Sequence, residues 1–255
     1  MNSTGLAPES PLSAIYSRGA LYEAVYRGRG KDYAADAARI TGIIRERFPQ
    51  AQSLLDAACG TGSHLRYLAE EFAHVEGLDL APSMLAEART TLPGARFHEA
   101  DMTEFLLDRA FSAITCMFSS IGYLPTVDAL ESAVACFARH LDPGGVLVVE
   151  PWCFPGRFTP RQVTSDLATV DGTGIARMSH ATLVRDGRGC RIEAHYLVAD
   201  SDTGVRHFTD VHDLTLFRRE EYEAAFTRAG CTVEYLPPPD GRGVGLFVGV
   251  RAADR

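Results

Sequence analysis

Three carboxylates stand where apolar runs of the chain end. In LLDAACGTGSHL, residues 54–65, an apolar run enters a glycine-rich turn and leaves as the start of a helix. Glycines there let the backbone come close to a ligand, and the helix start offers N–H groups with no partner of their own. A dinucleotide loop of the form G-x-G-x-x-G would place its third glycine at position 65, where this chain has Leu65. Instead Asp56 precedes Gly60 and Gly62 as D-x-A-x-G-x-G, with Ala58 at a position where glycine is usual. A carboxylate ahead of such a turn can accept from an ammonium. Asp79 closes the next run, GLDLA, 17 residues past Gly62, and is placed to accept from both hydroxyls of a ribose, with Leu80 beside it. Asp101 and Met102 follow the third run, where a carboxylate can meet the amine of an adenine. Each has a plainer reading: Asp56 as a strand-end cap, Asp79 as an N-cap for 82–91, Asp101 as a turn former. Three carboxylates at the ends of successive parallel strands favour a ligand, because ligands bind there in doubly wound sheets.

The elements that must position them alternate. Apolar strands are expected at 53–59, 74–80, 95–100, 111–118 and 145–151, with helices at 33–48, 63–72, 82–91 and 126–141. Strands this apolar, separated by helices, imply a parallel sheet covered on both faces. After Trp152 the rhythm changes. Residues 174–217 read as three long strands, broken by turns at Asp186-Gly187 and Asp202-Thr203-Gly204, which is an antiparallel meander. A helix over 219–229, stopped by Gly230, and strands near 231–236 and 244–250 return the chain to the main sheet. The expected division is a flexible segment 1–19, a cofactor domain made of 20–155 and 218–255, and a β-rich insert 156–217.

Bulk properties narrow the partners. The 255 residues are 46% hydrophobic, enough for one domain with a subdomain. A net charge of −8, with 25 basic residues scattered against 33 acidic ones, argues against nucleic acid. No run of 18 apolar residues and no signal-like start is present, so no membrane partner and a cytoplasmic location are expected. The six cysteines form no C-x-x-C and read as free thiols of a reducing compartment. His180, His195, His207 and His212 alternate over two faces of the meander, so no metal is expected.

The chain resembles the S-adenosylmethionine-dependent N,N-dimethyltransferases of TDP-linked amino sugars, such as those that make desosamine and mycaminose for macrolide antibiotics. The resemblance rests on RGRGKDYAADA (27–37), SLLDAACGTG (53–62), DMTEF (101–105), CMFSSIGYL (116–124), HLDPGGVLVVEPW (140–152), HYLVAD (195–200) and LTLFRREEYEAAF (214–226). It implies a Rossmann-like α/β sheet with an antiparallel meander insert, S-adenosyl-L-methionine as cofactor, a TDP-linked amino sugar as substrate, and leaves room for a homodimer. Tyr22, Tyr33, Asp56, Ala58, Gly60, Asp79, Leu80, Asp101, Met102 and Met117 are then expected at the cofactor. Tyr123, Tyr16 and Glu150 are expected at the reacting amine, and Trp152, Arg177, Ser179 and Arg242 at the sugar nucleotide. Two local departures are Cys153, where the family has a second tryptophan, and GRGVGLF (241–247), which shifts Arg242 in register. For Tyr123 an aromatic lid is the plainer reading, for Glu150 a loop cap, and for any insert arginine a solvated strand residue. A methyltransferase acting on oxygen or a carboxyl, a nicotinamide-dependent oxidoreductase and a non-enzymatic cofactor-binding module are the competing readings.

Overall fold

The structure, a computed structural model, describes Tyr22, Val25, Tyr26, residues 31–239, Gly241 and residues 243–253. Its main sheet holds β1 (Ser53–Ala57), β2 (His74–Asp79), β3 (Arg96–Glu99), β4 (Phe111–Cys116), β5 (Leu141–Val149), β10 (Glu234–Leu236) and β11 (Leu246–Val250), in the order β3-β2-β1-β4-β5-β11-β10. The first five are parallel. β11 runs antiparallel between β5 and β10. Neighbouring strand residues point to opposite faces, and both faces are apolar. Leu55, Ile114 and Leu147 pack with Phe137, Phe226 and Phe247 on one side, while Leu54, Val146 and Val148 pack with Ile40, Ile44 and Leu65 on the other. Burial on both sides explains why these strands read as continuous apolar runs.

The covering helices carry their own start and stop signals. In α1 (Tyr33–Arg47), Asp32 accepts from the Ala35 N–H at 2.9 Å, and Ala37, Ile40 and Ile44 form the buried stripe. Helix α2 (Leu65–Leu68) is shorter than the expected 63–72. Beyond Leu68 the chain tightens into i→i+3 bonds, Glu70 to Tyr67 and Glu71 to Leu68. Helix α3 (Pro82–Thr91) starts on its proline, and α4 (Val127–Arg139) is capped by Thr126 on the Ala129 N–H. In α5 (Arg219–Arg228), Glu221 accepts from the Arg218 N–H, and Gly230 follows at φ 76°.

The second sheet is an antiparallel meander of four strands, β6 (Val163–Val170), β7 (Thr173–Val184), β8 (Gly189–Asp200) and β9 (Gly204–Thr215). The three strands expected over 174–217 are β7, β8 and β9, and β6 precedes them as a strand the sequence did not announce. The extra strand, VTSDLATV, is an edge whose exposed positions mix Val163 and Leu167 with Ser165 and Thr169, so it shows no clean alternation. The meander hangs from the carboxyl end of β5, and β9 lies beside the turn Ser120–Tyr123. Its outer face exposes Leu167, Met178, Leu197 and Val205, whereas its inner face buries Arg177, Ser179, Tyr196, Asp210 and His212. All six cysteine thiols are unpaired. Among the described residues no helix is long and apolar enough to cross a membrane.

Candidate active site

The crevice opens at the carboxyl ends of β1 and β4, where the chain's order reverses from β2 on one side to β4 on the other. Between β1 and α2, three left-handed residues follow within five: Ala58 at φ 57°, Gly60 at 55° and Gly62 at 79°. A side chain at Gly60 would be strained by that φ whatever room it had. Asp79 braces the turn: Oδ2 accepts from the Gly60 N–H at 2.8 Å and Oδ1 from the Ala81 N–H at 2.8 Å. Burial raises its pKa, opposed by these backbone donors and that of Leu80. A carboxylate has about four acceptor positions, so these backbone donors leave room for a ligand.

Asp56 is 2% exposed, and its Oδ1 accepts from Thr115 Oγ1 of the adjoining β4 at 2.7 Å. Burial lifts its carboxyl to about 6, against the pull of His64 and Thr115. Such a carboxyl is stabilised in its charged form by an arriving ammonium. Asp101 accepts from the Thr103 N–H and hydroxyl through one oxygen, Oδ1, at 2.8 and 2.7 Å. Met102 packs on the core beside it, and Leu80 stands 47% exposed at the end of β2.

Over this cradle lies an aromatic cover. Tyr22 and Tyr26 pack edge-on to Phe118, and Tyr33 meets His64 edge-on at 4.9 Å between ring centres. Lys31 sits 4.8 Å above the Phe118 ring and pairs with Asp36 at 2.6 Å. Burial works against the Asp36 charge, yet hydrogen bonds and charge from His64 and Lys31 hold its carboxyl down to about 2. Phe118 and Ser119 both adopt left-handed backbone, φ 55° and 61°, just past β4. Glu150 holds them there: Oε2 accepts from the Phe118 N–H at 3.0 Å and Oε1 from Ser119 Oγ at 3.4 Å. Strained non-glycine residues gather at functional sites when surroundings enforce them. Glu150 and Met117 line one cleft of about 210 Å³ with Lys31 and Asp36.

On the meander side, Trp152 donates its indole N–H to Cys190 Sγ at 3.2 Å and packs against Gly122, where a Cβ would sit 2.7 Å from that of Trp152. Tyr123 Oη lies 2.7 Å from His212 Nδ1. Arg177 is buried in a network with Ser179 Oγ at 3.0 Å, Tyr196 Oη at 3.2 Å, Thr164 Oγ1 at 3.3 Å and Asp166 Oδ2 at 3.4 Å. Tyr16 and Arg242 lie outside the described residues.

Asp56, Ala58, Gly60, Asp79 and Leu80 thus stand at the ends of β1 and β2, Tyr33 packs on His64 and Tyr22 on Phe118, and Met117 and Glu150 share a cleft with Lys31 and Asp36. Sequence reasoning passed over Thr115, His64, Phe118 and His212. Thr115 was findable, as the lone polar residue at the matching depth of β4 beside Asp56. His212 was read only with the other meander histidines, and its burial depends on register that the sequence does not display.

A Rossmann-like sheet with an antiparallel β11, and an acidic glycine turn answered by Asp79, define the class: this is an S-adenosylmethionine-dependent methyltransferase. Residues 54–145 match the family described as a methyltransferase domain. The chain is 54% identical, over 91% of its length and 97% of the relative's, to the dTDP-3-amino-3,4,6-trideoxy-alpha-D-glucopyranose N,N-dimethyltransferase of Streptomyces venezuelae. It is 51% identical, over 91% and 90%, to the dTDP-3-amino-3,6-dideoxy-alpha-D-glucopyranose N,N-dimethyltransferase of Streptomyces fradiae. An S-adenosylmethionine-bound amino pentose methyltransferase of Micromonospora echinaspora, involved in calicheamicin biosynthesis, superposes with a TM-score of 0.83 at 46% identity, covering 98% of this chain and 100% of that one. The chain belongs to the TDP-amino-sugar N,N-dimethyltransferases.

Proposed function

We propose that this protein methylates the C3 amine of a TDP-linked 3-amino-deoxyhexose twice, the sugar lying between the glycine turn and the meander. The observation that carries the position of the amine is that the relatives at 54% and 51% identity are named for 3-amino sugars. S-adenosylmethionine, when bound, supplies an electrophilic methyl whose positive charge it already carries. The buried Asp56 takes the cofactor's ammonium, Asp79 its ribose, and Asp101 with Met102 its adenine. Gly60 and Ala58 give backbone approach, Leu80 an apolar plate, and Tyr22, Tyr33 and Met117 the cover. A neutral amine needs only to be aligned for an in-line displacement, so positioning supplies most of the rate. Tyr123 and Tyr16 align that amine. Glu150 acts here by holding Phe118 and Ser119 in their strained turn. Residues 156–217 serve as the substrate-holding insert on the cofactor domain 20–155 and 218–255. Within it Arg177 and Ser179, joined by Arg242, hold the diphosphate, and Trp152 walls the sugar. The guanidinium of Arg177 is fixed in advance by its four partners, which lowers the cost of ordering it.

Incubating the protein with S-adenosylmethionine and either the TDP-3-amino-3,6-dideoxyhexose or its 4-amino isomer tests this by mass spectrometry. The 3-amino sugar should gain two methyl groups on nitrogen. Preference for the 4-amino isomer, or methyl on a hydroxyl, overturns the proposal.

A further inference from the structure

Three polar side chains run in line from the inner face of the meander to the substrate side of the crevice. Asp210 and His212, 3% and 7% exposed, stand two residues apart on β9 and share one face. His212 Nε2 lies 3.4 Å from Asp210 Oδ2, and His212 Nδ1 lies 2.7 Å from Tyr123 Oη. The other Asp210 oxygen, Oδ1, accepts from the Val211 N–H at 3.0 Å. Burial lowers the pKa of His212 and Arg177 lowers it further, against the pull of Asp210 and Asp213. The ring is therefore neutral at neutral pH, with one N–H and one lone pair. An acceptor-only carboxylate opposite Nε2 puts the proton on Nε2. Nδ1 is then the lone-pair side, and the short contact to Tyr123 is a phenol O–H donating to nitrogen.

We infer that Asp210 and His212 commit the single hydroxyl proton of Tyr123 to the imidazole, so that the Tyr123 oxygen meets the substrate amine only as a hydrogen-bond acceptor. This rests on the reading above that Tyr123 faces the amine. The direction of that bond matters to the chemistry. A hydroxyl that donated to the amine would occupy the nitrogen lone pair, which must point at the methyl group for transfer. An accepting oxygen instead takes an N–H and leaves the lone pair unengaged. The neutral primary amine has two N–H bonds, the monomethyl amine one and the neutral dimethyl amine none. One accepting oxygen therefore serves both transfers and has no neutral third substrate to hold. His212 and Asp210 are positioning residues that act through Tyr123.

Asp210→Asn is the sharpest test, because it keeps the shape. Its carbonyl oxygen stays on the Val211 N–H, so its amide N–H faces Nε2. That drives the ring proton to Nδ1 and turns the Tyr123 O–H toward the amine. Turnover should be measured separately on the unmethylated and the monomethyl TDP-sugar at saturating cofactor. Asp210→Asn should lower kcat about tenfold or more on both sugars with KM little changed. The double variant with Tyr123→Phe should be no slower than Tyr123→Phe alone. Melting temperature and S-adenosylhomocysteine affinity should match the unsubstituted protein. If Asp210→Asn fails to fold, His212→Phe, which removes the acceptor, takes its place in the same cycle. Losses that multiply in the double variant, or an undiminished kcat where Tyr123→Phe is slow, overturn the inference. A Tyr123→Phe variant as fast as the unsubstituted protein overturns instead the reading that Tyr123 faces the amine.

Discussion

In the parallel sheet, carboxylates stand at or just past strand ends and are answered by backbone N–H groups of their own or a neighbouring turn. Asp79 takes Gly60 and Ala81, Asp101 takes Thr103, and Glu150 takes Phe118. In the meander, polar side chains share the inner face, two residues apart on one strand or across neighbouring strands, and answer side chain to side chain. Arg177 reaches Thr164, Ser179 and Tyr196, and Asp210 reaches His212 and through it Tyr123. A site built from strand ends is local in sequence, so each residue and its partner lie close along the chain or on adjacent strands. A site built on one face of a meander is spread over four strands, and the company that face keeps is set partly by pairing. The first arrangement isolates the effect of one substitution, and the second propagates it.

Two buried carboxylates of the parallel sheet sharpen the point. Glu76, fully buried on β2, has His74 at 2.7 Å, His98 at 2.5 Å and Arg109 at 3.2 Å. Burial opposes its charge, but these partners hold its pKa below the ordinary value. Asp56, on the adjoining strand and the opposite face, is bonded to a hydroxyl and, among the described residues, to no cation, and burial raises its pKa to about 6. The structural carboxylate brings its own cations. On the reading proposed above, Asp56 takes its cation from the ligand.

The largest effect is expected at Asp79, whose side chain holds the turn and, on the reading proposed above, also the cofactor. Asp79→Ala should weaken S-adenosylmethionine binding by about 1.5–3 kcal/mol, the loss for hydrogen bonds to a charged group. Calorimetry with S-adenosylhomocysteine checks it, and the TDP-sugar affinity should stay within a factor of about two, since distant sites act independently. An unchanged cofactor affinity would sink the assignment of Asp79, and an equal loss for both ligands would break the contrast between local and propagated effects.

Asp56 should show effects of opposite sign. Its folded pKa of about 6 lies above the ordinary 3.8. Stability from the protonated form is thus fully present below about pH 4 and is lost as pH rises through about 6. Asp56→Asn removes that loss while keeping an acceptor for Thr115. The cofactor-free protein should gain roughly 1–3 kcal/mol at pH 7.5 and nothing at pH 4. S-adenosylmethionine affinity should fall at the same time, because the ammonium loses its counter-charge. Urea melts at the two pH values, with calorimetry at the upper one, measure both. A variant less stable than the original at pH 7.5 means that Asp56 is a structural cap, as Glu76 is a structural anion.

The same contrast decides what was legible in the sequence. Helix α3 falls at 82–91 as expected, because Pro82 starts it, and the strand ends at Asp56, Asp79 and Asp101 follow from apolar runs that stop at acidic residues. In the meander, the turns at Asp186-Gly187 and Asp202-Thr203-Gly204 were readable from residue type. Strand β6 was not, and neither was the burial of His212, because an edge strand has one neighbour and inner-face membership comes from pairing. His180, His195 and His207 are exposed while His212 is buried, and the four look alike along the chain. Glu150 was half legible: its place at the end of β5 was clear, but its partners Phe118 and Ser119 take left-handed backbone that their residue types disfavour.

The smallest effect concerns Ala58, and its sign is the informative part. The residue sits at φ 57°, a conformation that costs an L-residue roughly 1–2 kcal/mol and glycine almost nothing. Replacement by glycine relieves that strain but loosens the unfolded chain by about 0.5–1 kcal/mol. The two terms oppose one another, and the left-handed penalty is the larger. Ala58→Gly should therefore raise stability by about 0.5–1 kcal/mol, read as a shift in urea midpoint at constant slope. Cofactor affinity and turnover should be unchanged, because the turn is already held by the bonds of Asp79 to Gly60 and Ala81. If instead the turn depended on alanine's stiffness, the glycine variant would bind S-adenosylhomocysteine more weakly with an unfavourable entropy. That outcome would show that the strand-end site is not fixed by its carboxylates alone, and that the parallel sheet shares the meander's reliance on several coupled parts.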